Sequence, residues 1–380
     1  MLERKTIGAF EGARGVAALL VAIYHFALLF SFALPYPVVV RNGYLFVDLF
    51  FVLSGYVICA SYESRLVTVN DLWTFAIRRF GRLFPLLIAS TIAFVLVPNL
   101  YELAKHAAVM LGHANLFHDP HPVPHMVPSL AEIVATLTMT HGLGMFDKAI
   151  LNFVSWSIST EFYTYMLFAL ACLFVAGRAR IMLFATVSAV AFAVTCWASL
   201  TLHDCVATRD CLNITYDFGL TRCLTSFSLG CLTFYTARRL RPHGNALQIG
   251  ALLAVYGVFA ATDRVPVMAF ACPLVFAVLI LSLSSDRGYV ARALNTAPAQ
   301  LLGRCSYSIY LMHPVLIKGF GFATRHLTGT ATGFATLLVY TVTLLLISGL
   351  TYRYIEAPFR DQFNRWARQQ RVASGVTETA

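Results

Sequence analysis

Two histidines stand inside apolar runs of this chain, His25 in the stretch near 15–34 and His313 in the stretch near 303–320. An ionisable group at membrane depth costs a few kcal/mol to insert, so both positions are candidates for proton-transfer chemistry. Arg14 precedes His25 by eleven residues, which on a helix is ~16 Å of axial rise, about half of a ~30 Å hydrocarbon core. One helix then carries a guanidinium at a membrane face and an imidazole near the midplane. Asp48 opens the next apolar run, Tyr44-Leu-Phe-Val-Asp48-Leu-Phe-Phe-Val-Leu-Ser54-Gly55. A carboxylate beside a histidine orients its ring, as a general base requires, so Asp48 is a candidate partner for His25, with Glu161 and His313 open as well. Pairing of Asp48 with Arg41 at the outer surface is the alternative, and the residues leave both open. Glu161 lies about a turn and a half beyond Trp156, which reads as an interfacial-belt aromatic, and has no cation near it in sequence.

Further polar groups cluster at the ends of other runs. Arg78, Arg79 and Arg82 precede Pro85, and Arg79 and Arg82, three apart, share one helical face. They can clamp a phosphate-rich ligand or anchor the chain to lipid headgroups. Ser306, Tyr307, Ser308 and Tyr310 lead up to His313-Pro314, a pattern of helix-stitching hydroxyls followed by a kink that could open a cavity. Glu356 and Arg360 close the last run and read as a helix stop and an ion pair.

The elements that position these groups are membrane helices. Hydrophobic residues make up 58% of 380 and charged residues 12%, with a mean hydropathy of +0.71. A soluble globule of this size does not show that balance. Apolar runs of spanning length fall near 15–34, 44–60, 82–98, 153–176, 180–201, 217–237, 246–262, 265–284, 303–320 and 331–352. The fold expected is therefore all-α, polytopic, with about ten transmembrane helices. Segment 129–146, broken by Glu132, His141 and two glycines, reads as a re-entrant or surface helix. With both termini cytoplasmic, twenty of the 28 Lys and Arg fall on the inside and seven on the outside, which satisfies the positive-inside rule. The +10 net charge is then explained by anchoring to lipid, without nucleic acid. Residues 1–360 read as one membrane domain with its outward loop within 99–152, and 361–380 as a short polar cytoplasmic tail.

Most of the nine cysteines fall inside spans. Cys205 and Cys211 share a short outward loop, where a disulfide and two free thiols are both open readings. His106, His113, His118, His121 and His125 lie in one outward segment, but no spacing among them fixes a metal geometry, so no metal site is assigned.

Six blocks in order resemble the acyltransferase family 3 pattern: Arg14-x10-His25, Val47-Asp48-Leu-Phe-Phe-Val-Leu-Ser-Gly55, Arg79-x-x-Arg82, Trp156-Ser-x-Ser-x-Glu161, Ser306-Tyr-Ser-x-Tyr-Leu-x-His313 and Glu356-x-Pro-x-Arg360. The resemblance covers residues 10 to 360. It implies a ten-helix integral O-acyltransferase of a bacterial inner membrane, in the single-domain form without a periplasmic SGNH extension. Its donor would be cytoplasmic acyl-CoA, acetyl-CoA above all, with no permanently bound cofactor. Its acceptor would be a hydroxyl of a surface or exported glycan or glycolipid, such as an exopolysaccharide or lipopolysaccharide, and surface-polysaccharide biosynthesis proteins are implied partners. By the same resemblance His25 is the catalytic histidine and Arg14 its companion. Arg79 and Arg82, with Arg78 beside them, become a CoA site, and Trp156, Glu161, Ser308, Tyr310, His313, Glu356 and Arg360 match recurrent positions. Where many members carry a second acidic residue and a glutamine, this chain has Ser159-Thr160-Glu161-Phe162. A polytopic exporter of a glycan or lipid-linked intermediate is the competing class, but the internal repeats typical of exporters are absent from the sequence.

Overall fold

In lipid every backbone polar group must be satisfied within its own segment, and this chain answers with helices throughout. The computed structural model describes residues 7–30, 32, 34–113, 126–240, 244–324 and 327–373, with no strand among them. Ten long helices follow in order: α1 (Gly8–Leu29), α2 (Phe46–Tyr62), α3 (Val69–Met110), α4 (Trp156–Phe174), α5 (Gly177–Trp197), α6 (Gly219–Leu240), α7 (Asn245–Thr262), α8 (Cys272–Leu283), α9 (Ser306–Thr324) and α10 (Thr330–Thr351). They match the ten expected spans one for one.

Eight segments are long and apolar enough to cross a membrane among the described residues. The two that fall short, α6 and α9, are also of spanning length but carry many polar groups. Arg222, Thr225, Ser226 and Ser228 of α6 are buried, as is every residue of α9 from Ser306 to Val315. Both helices face protein more than lipid, so their composition follows protein neighbours.

Several boundaries differ from the sequence reading. Helix α1 begins at Gly8, which puts Arg14 in its second turn rather than at the edge of a span. Helix α3 runs for 42 residues where 82–98 was expected, started by a capping box between Thr68 and Asp71. At ~1.5 Å per residue it is on the order of 60 Å long, so it projects beyond the hydrocarbon at both ends. Arg78, Arg79 and Arg82 therefore sit within a helix. Segment 129–146 contains an eight-residue helix, Leu130–Leu137, capped by Ser129 and Glu132. Its Leu130, Val134 and Leu137 are exposed, so it is a surface helix and no span. His118, His121 and His125 lie outside the described residues. The inside loop before α9 folds into two short helices, Tyr289–Leu294 and Ala297–Arg304, packed on α1. The expected tail is helical as far as Ala373. After a π-helical turn at Tyr352–Glu356 the chain continues as α11 (Ala357–Ala373), whose Phe363 packs on Phe80 of α3. Arg360 there pairs with its neighbour Asp361 and leaves Glu356 to another partner.

The centre of the bundle is the contact of α2 with α6. A Cβ at Gly55 would lie 2.0 Å from the Phe227 carbonyl oxygen, and one at Gly230 2.0 Å from that of Val52, so only glycine permits this approach. At the outer end of the same contact Arg222 donates to Asp48 Oδ2 from Nη2 at 2.7 Å and from Nε at 3.1 Å. Ser226 donates to Asp48 Oδ1 at 2.9 Å, and Arg222 also reaches the carbonyls of Leu212 and Tyr44 at 2.5 and 3.1 Å. Asp48 thus meets neither His25 nor Arg41, a correction to both sequence readings. Arg41 pairs with Asp263 instead. Trp156 is corrected too. It is buried, with the Arg222 guanidinium 5.7 Å from its ring centroid, and so packs on protein instead of lipid headgroups. Cys205 and Cys211 are joined as a disulfide in the loop beside Leu212.

Removing one partner of a buried pair strands the other charge. Asp48→Ala and Arg222→Ala are each expected to cost about 3–5 kcal/mol of stability, read as a fall in melting temperature of the detergent-solubilised protein. Asp48→Leu combined with Arg222→Met should regain most of that loss, and an additive loss in the double variant would show that the pair is not the unit proposed.

Candidate active site

A cavity of about 390 Å3 lies between α1, α2, α3, α4 and the start of α9. Its wall on α2 extends from Tyr62 to Val47, fifteen residues or ~22 Å of helical rise. At one end stand Arg14, Arg65, Arg79 and Arg82. These come from the ends of spans that the charge bias assigns to a single membrane face. Glu11 and Glu161 are the acidic residues of the lining, so the four guanidiniums leave the cavity net positive. Arg79 is pre-positioned by aromatic rings, with Tyr62, Phe75 and Tyr165 centroids 5.4, 5.6 and 5.9 Å from its guanidinium carbon and a hydrogen bond of 3.3 Å to the Tyr62 hydroxyl. Arg14 is held at 3.5 Å by Glu11, one turn earlier on α1. Arg78 is not part of the lining.

Glu161 forms the middle of the wall. Its carboxylate accepts hydrogen bonds from Ser54 of α2 and from Tyr165, one turn along α4. In place of a cation Glu161 thus has a pair of hydroxyls. Tyr307 ties α9 to α3 by donating to the Leu83 carbonyl at 2.5 Å. Behind the wall Ser308 donates to the buried Glu356 at 2.8 Å, and Arg82 is near enough to Glu356 for their charges to interact. Helix α9 continues through Pro314, and the α9 residues that line the cavity, Ser306, Tyr307 and Tyr310, all precede it. This cavity thus lies on the N-terminal side of the proline.

His25 and His313 meet. Nε2 of His313 lies 3.1 Å from Nδ1 of His25, with ring centroids 5.0 Å apart. The tautomers follow from the acceptors. His25 Nδ1 is 3.0 Å from the Val21 carbonyl oxygen, which can only accept, so that nitrogen carries the proton. His313 Nδ1 stands likewise 3.3 Å from the Ile309 carbonyl, which leaves its Nε2 as an acceptor that shares the one His25 Nδ1–H with the Val21 carbonyl. His25 Nε2 then carries the free lone pair, the arrangement of a general base held by a neutral partner. The group that meets His25 is His313, with neither Arg14 nor Asp48 in contact.

The histidine pair is not part of the cavity lining. Rings pack around the pair: Phe153 lies 5.3 Å from the His25 ring and Tyr310 5.8 Å from the His313 ring, with Phe50 of the cavity wall 5.8 Å from Tyr310. Tyr310 is fixed by Ser157 Oγ at 2.8 Å and the Val154 carbonyl at 3.1 Å. The sequence reading missed Glu11, Arg65, Ser157, Tyr165 and Tyr307 as site residues. Helical spacing held a signal for two of them, since Glu11 is three before Arg14 and Tyr165 four after Glu161.

The chain is similar to known proteins along most of its length. The acyltransferase-domain profile matches residues 7–353. The chain is 25% identical over 383 residues to the peptidoglycan O-acetyltransferase OatA of Listeria monocytogenes, covering 94% of this chain and 56% of the relative. It is 26% identical over 337 residues to the acyltransferase MdmB of Streptomyces mycarofaciens, covering 83% and 80%. It is 22% identical over 395 residues to the O-acetyltransferase OatA of Staphylococcus aureus, covering 95% and 58%. The chain thus spans a little over half the length of the OatA relatives. No solved structure matches it.

Proposed function

Because the chain belongs to the acyltransferase-domain family, we propose that it is an integral membrane O-acyltransferase moving a short acyl group from acyl-CoA to a hydroxyl of a surface or exported glycan. The observation that carries this reading is a positively charged cavity ~22 Å long that runs from four arginines towards a neutral histidine pair. The phosphates of CoA suit the arginine end, where Arg79 and Arg82 offer planar donors to anionic oxygen. The pantetheine arm then lies along α2 and brings the thioester to the far end. The arginine end belongs to the cytoplasmic face of the inner membrane on the positive-inside assignment, which is where acyl-CoA is made.

The chemistry follows from the tautomers. His25 Nε2 removes the proton of the acceptor hydroxyl as its oxygen attacks the thioester carbonyl. The tetrahedral intermediate collapses with loss of CoA thiolate, which takes up the proton from the His25 imidazolium. While His25 is charged, its Nδ1–H is held by Nε2 of His313, which keeps the ring in place through both proton transfers. Acceptor selection falls to the outward segment 99–152, and one relative's name puts peptidoglycan among the acceptor classes to be assayed.

His25→Ala should abolish CoA release from acetyl-CoA in membranes supplied with acceptor glycan, a loss of at least a hundredfold on the scale of a general base. Survival of full activity in that variant would reject the mechanism, and absence of any acyl mass shift on exported glycans between cells with and without the chain would reject the function. Arg79→Ala and Arg82→Ala are each expected to raise KM for acetyl-CoA at least tenfold, since each removes about 1.5–3 kcal/mol of charge-assisted hydrogen bonding, while leaving KM for the acceptor unchanged. A rise in acceptor KM alone would place these arginines on the wrong substrate.

A further inference from the structure

The donor cavity ends before it reaches the histidines. Among its lining residues Val47, Phe50, Ser157 and Tyr310 mark the far end, while neither His25 nor His313 takes part. For the proposed reaction the thioester carbon must come within bonding distance of an oxygen whose proton His25 holds, so a side chain between them has to move. Two rings of the far end are candidates, Phe50 and the Tyr310 it packs on, and they are held differently. The Tyr310 hydroxyl is engaged by Ser157 and by the Val154 carbonyl, in a part of α9 where every side chain is buried. Displacing it leaves buried polar groups unpaired. Phe50 has no polar atom, is only partly buried, and packs against both of the large apolar clusters of the bundle, so it lies on the seam between them. Turning its ring costs repacking alone.

We propose that the Phe50 ring is the movable partition between the donor cavity and the His25–His313 pair, and that its bulk limits the acyl group to short chains. This rests on the acyl-CoA reading of the cavity. Tyr310 is the fixed jamb against which Phe50 closes. An acetyl group needs only the gap left by a small rotation of Phe50. A longer chain must occupy the volume of the ring itself, because Phe51 and Val47 of the same helix are buried and already packed. Closed, the partition also keeps water that enters with CoA away from the histidine pair, which protects the thioester from hydrolysis before an acceptor arrives.

The test uses the full chain in membrane vesicles, with CoA release followed for acetyl-, butyryl- and hexanoyl-CoA in the presence of acceptor glycan. Phe50→Ala should raise the hexanoyl-to-acetyl ratio of kcat/KM at least tenfold, with Phe50→Leu between it and the native chain. Leu53→Ala, lower on the same wall, should leave the ratio where it was. A ratio unchanged by Phe50→Ala in vesicles whose native chain turns over acetyl-CoA would overturn the partition and leave the acyltransferase reading standing. A second measurement does not depend on turnover. In a His25→Cys background, labelling by a membrane-impermeant thiol reagent applied at the arginine end should be at least tenfold faster with Phe50→Ala or Phe50→Leu than with Phe50 intact. Equal labelling rates would overturn the partition by themselves. Faster labelling without CoA release from any ester in any variant would sustain the partition and sink the acyl-CoA reading.

Discussion

The buried pair of Asp48 and Arg222 is the interaction on which the remaining geometry depends. Two opposite charges taken together out of water persist only when their remaining lone pairs and protons are met. Here Ser226 and the carbonyls of Tyr44 and Leu212 meet them. The consequence is positional. Asp48 lies in the first turn of α2 and Arg222 in the first turn of α6, so the pair sets the register of two helices whose backbones touch at Gly55 and Gly230. With that register set, Ser54 faces Glu161 across the bundle, and Phe50 faces Tyr310.

From this frame the molecule separates two kinds of electrostatics. One end of the cavity concentrates guanidiniums stacked on aromatic rings or held by a single carboxylate. That arrangement suits a large anion arriving from water. The other end contains no formal charge among its lining residues, and beyond it stand two imidazoles whose protons are assigned by main-chain carbonyls. Keeping the histidine pair neutral at membrane depth avoids the solvation cost of a buried charge until a substrate supplies the proton. In the proposed reaction the ~16 Å between Arg14 and His25 would separate anion recognition from proton transfer, spanned by one rigid helix.

Much of this was legible before any coordinates. The ten apolar runs each became a helix, because in lipid length and hydropathy decide spanning almost alone. Four of the cationic residues that the charge bias put on one face, Arg14, Arg65, Arg79 and Arg82, line the cavity. His25 and His313 stood out because an imidazole inside an apolar run needs a reason to be there. Helix ends were less legible. Helix α3 runs past both ends of its hydrophobic stretch, since the polar turns beyond the membrane are helical by capping and by packing on α11.

Composition and one-dimensional spacing determined that the chain crosses a membrane about ten times, that one helix bears both a guanidinium and an imidazole, and which few polar residues merit attention. Tertiary structure decided the pairings. Asp48 had Arg41 and His25 as candidates on neighbouring sequence grounds, yet its partner lies 174 residues away. His25 had Asp48, Glu161 and His313 as open candidates, and it meets His313, 288 residues on. The physical reason is that hydropathy registers the cost of putting a helix in lipid, which each segment bears alone. A buried hydrogen bond instead belongs to two helices at once, and only their packing says which faces meet.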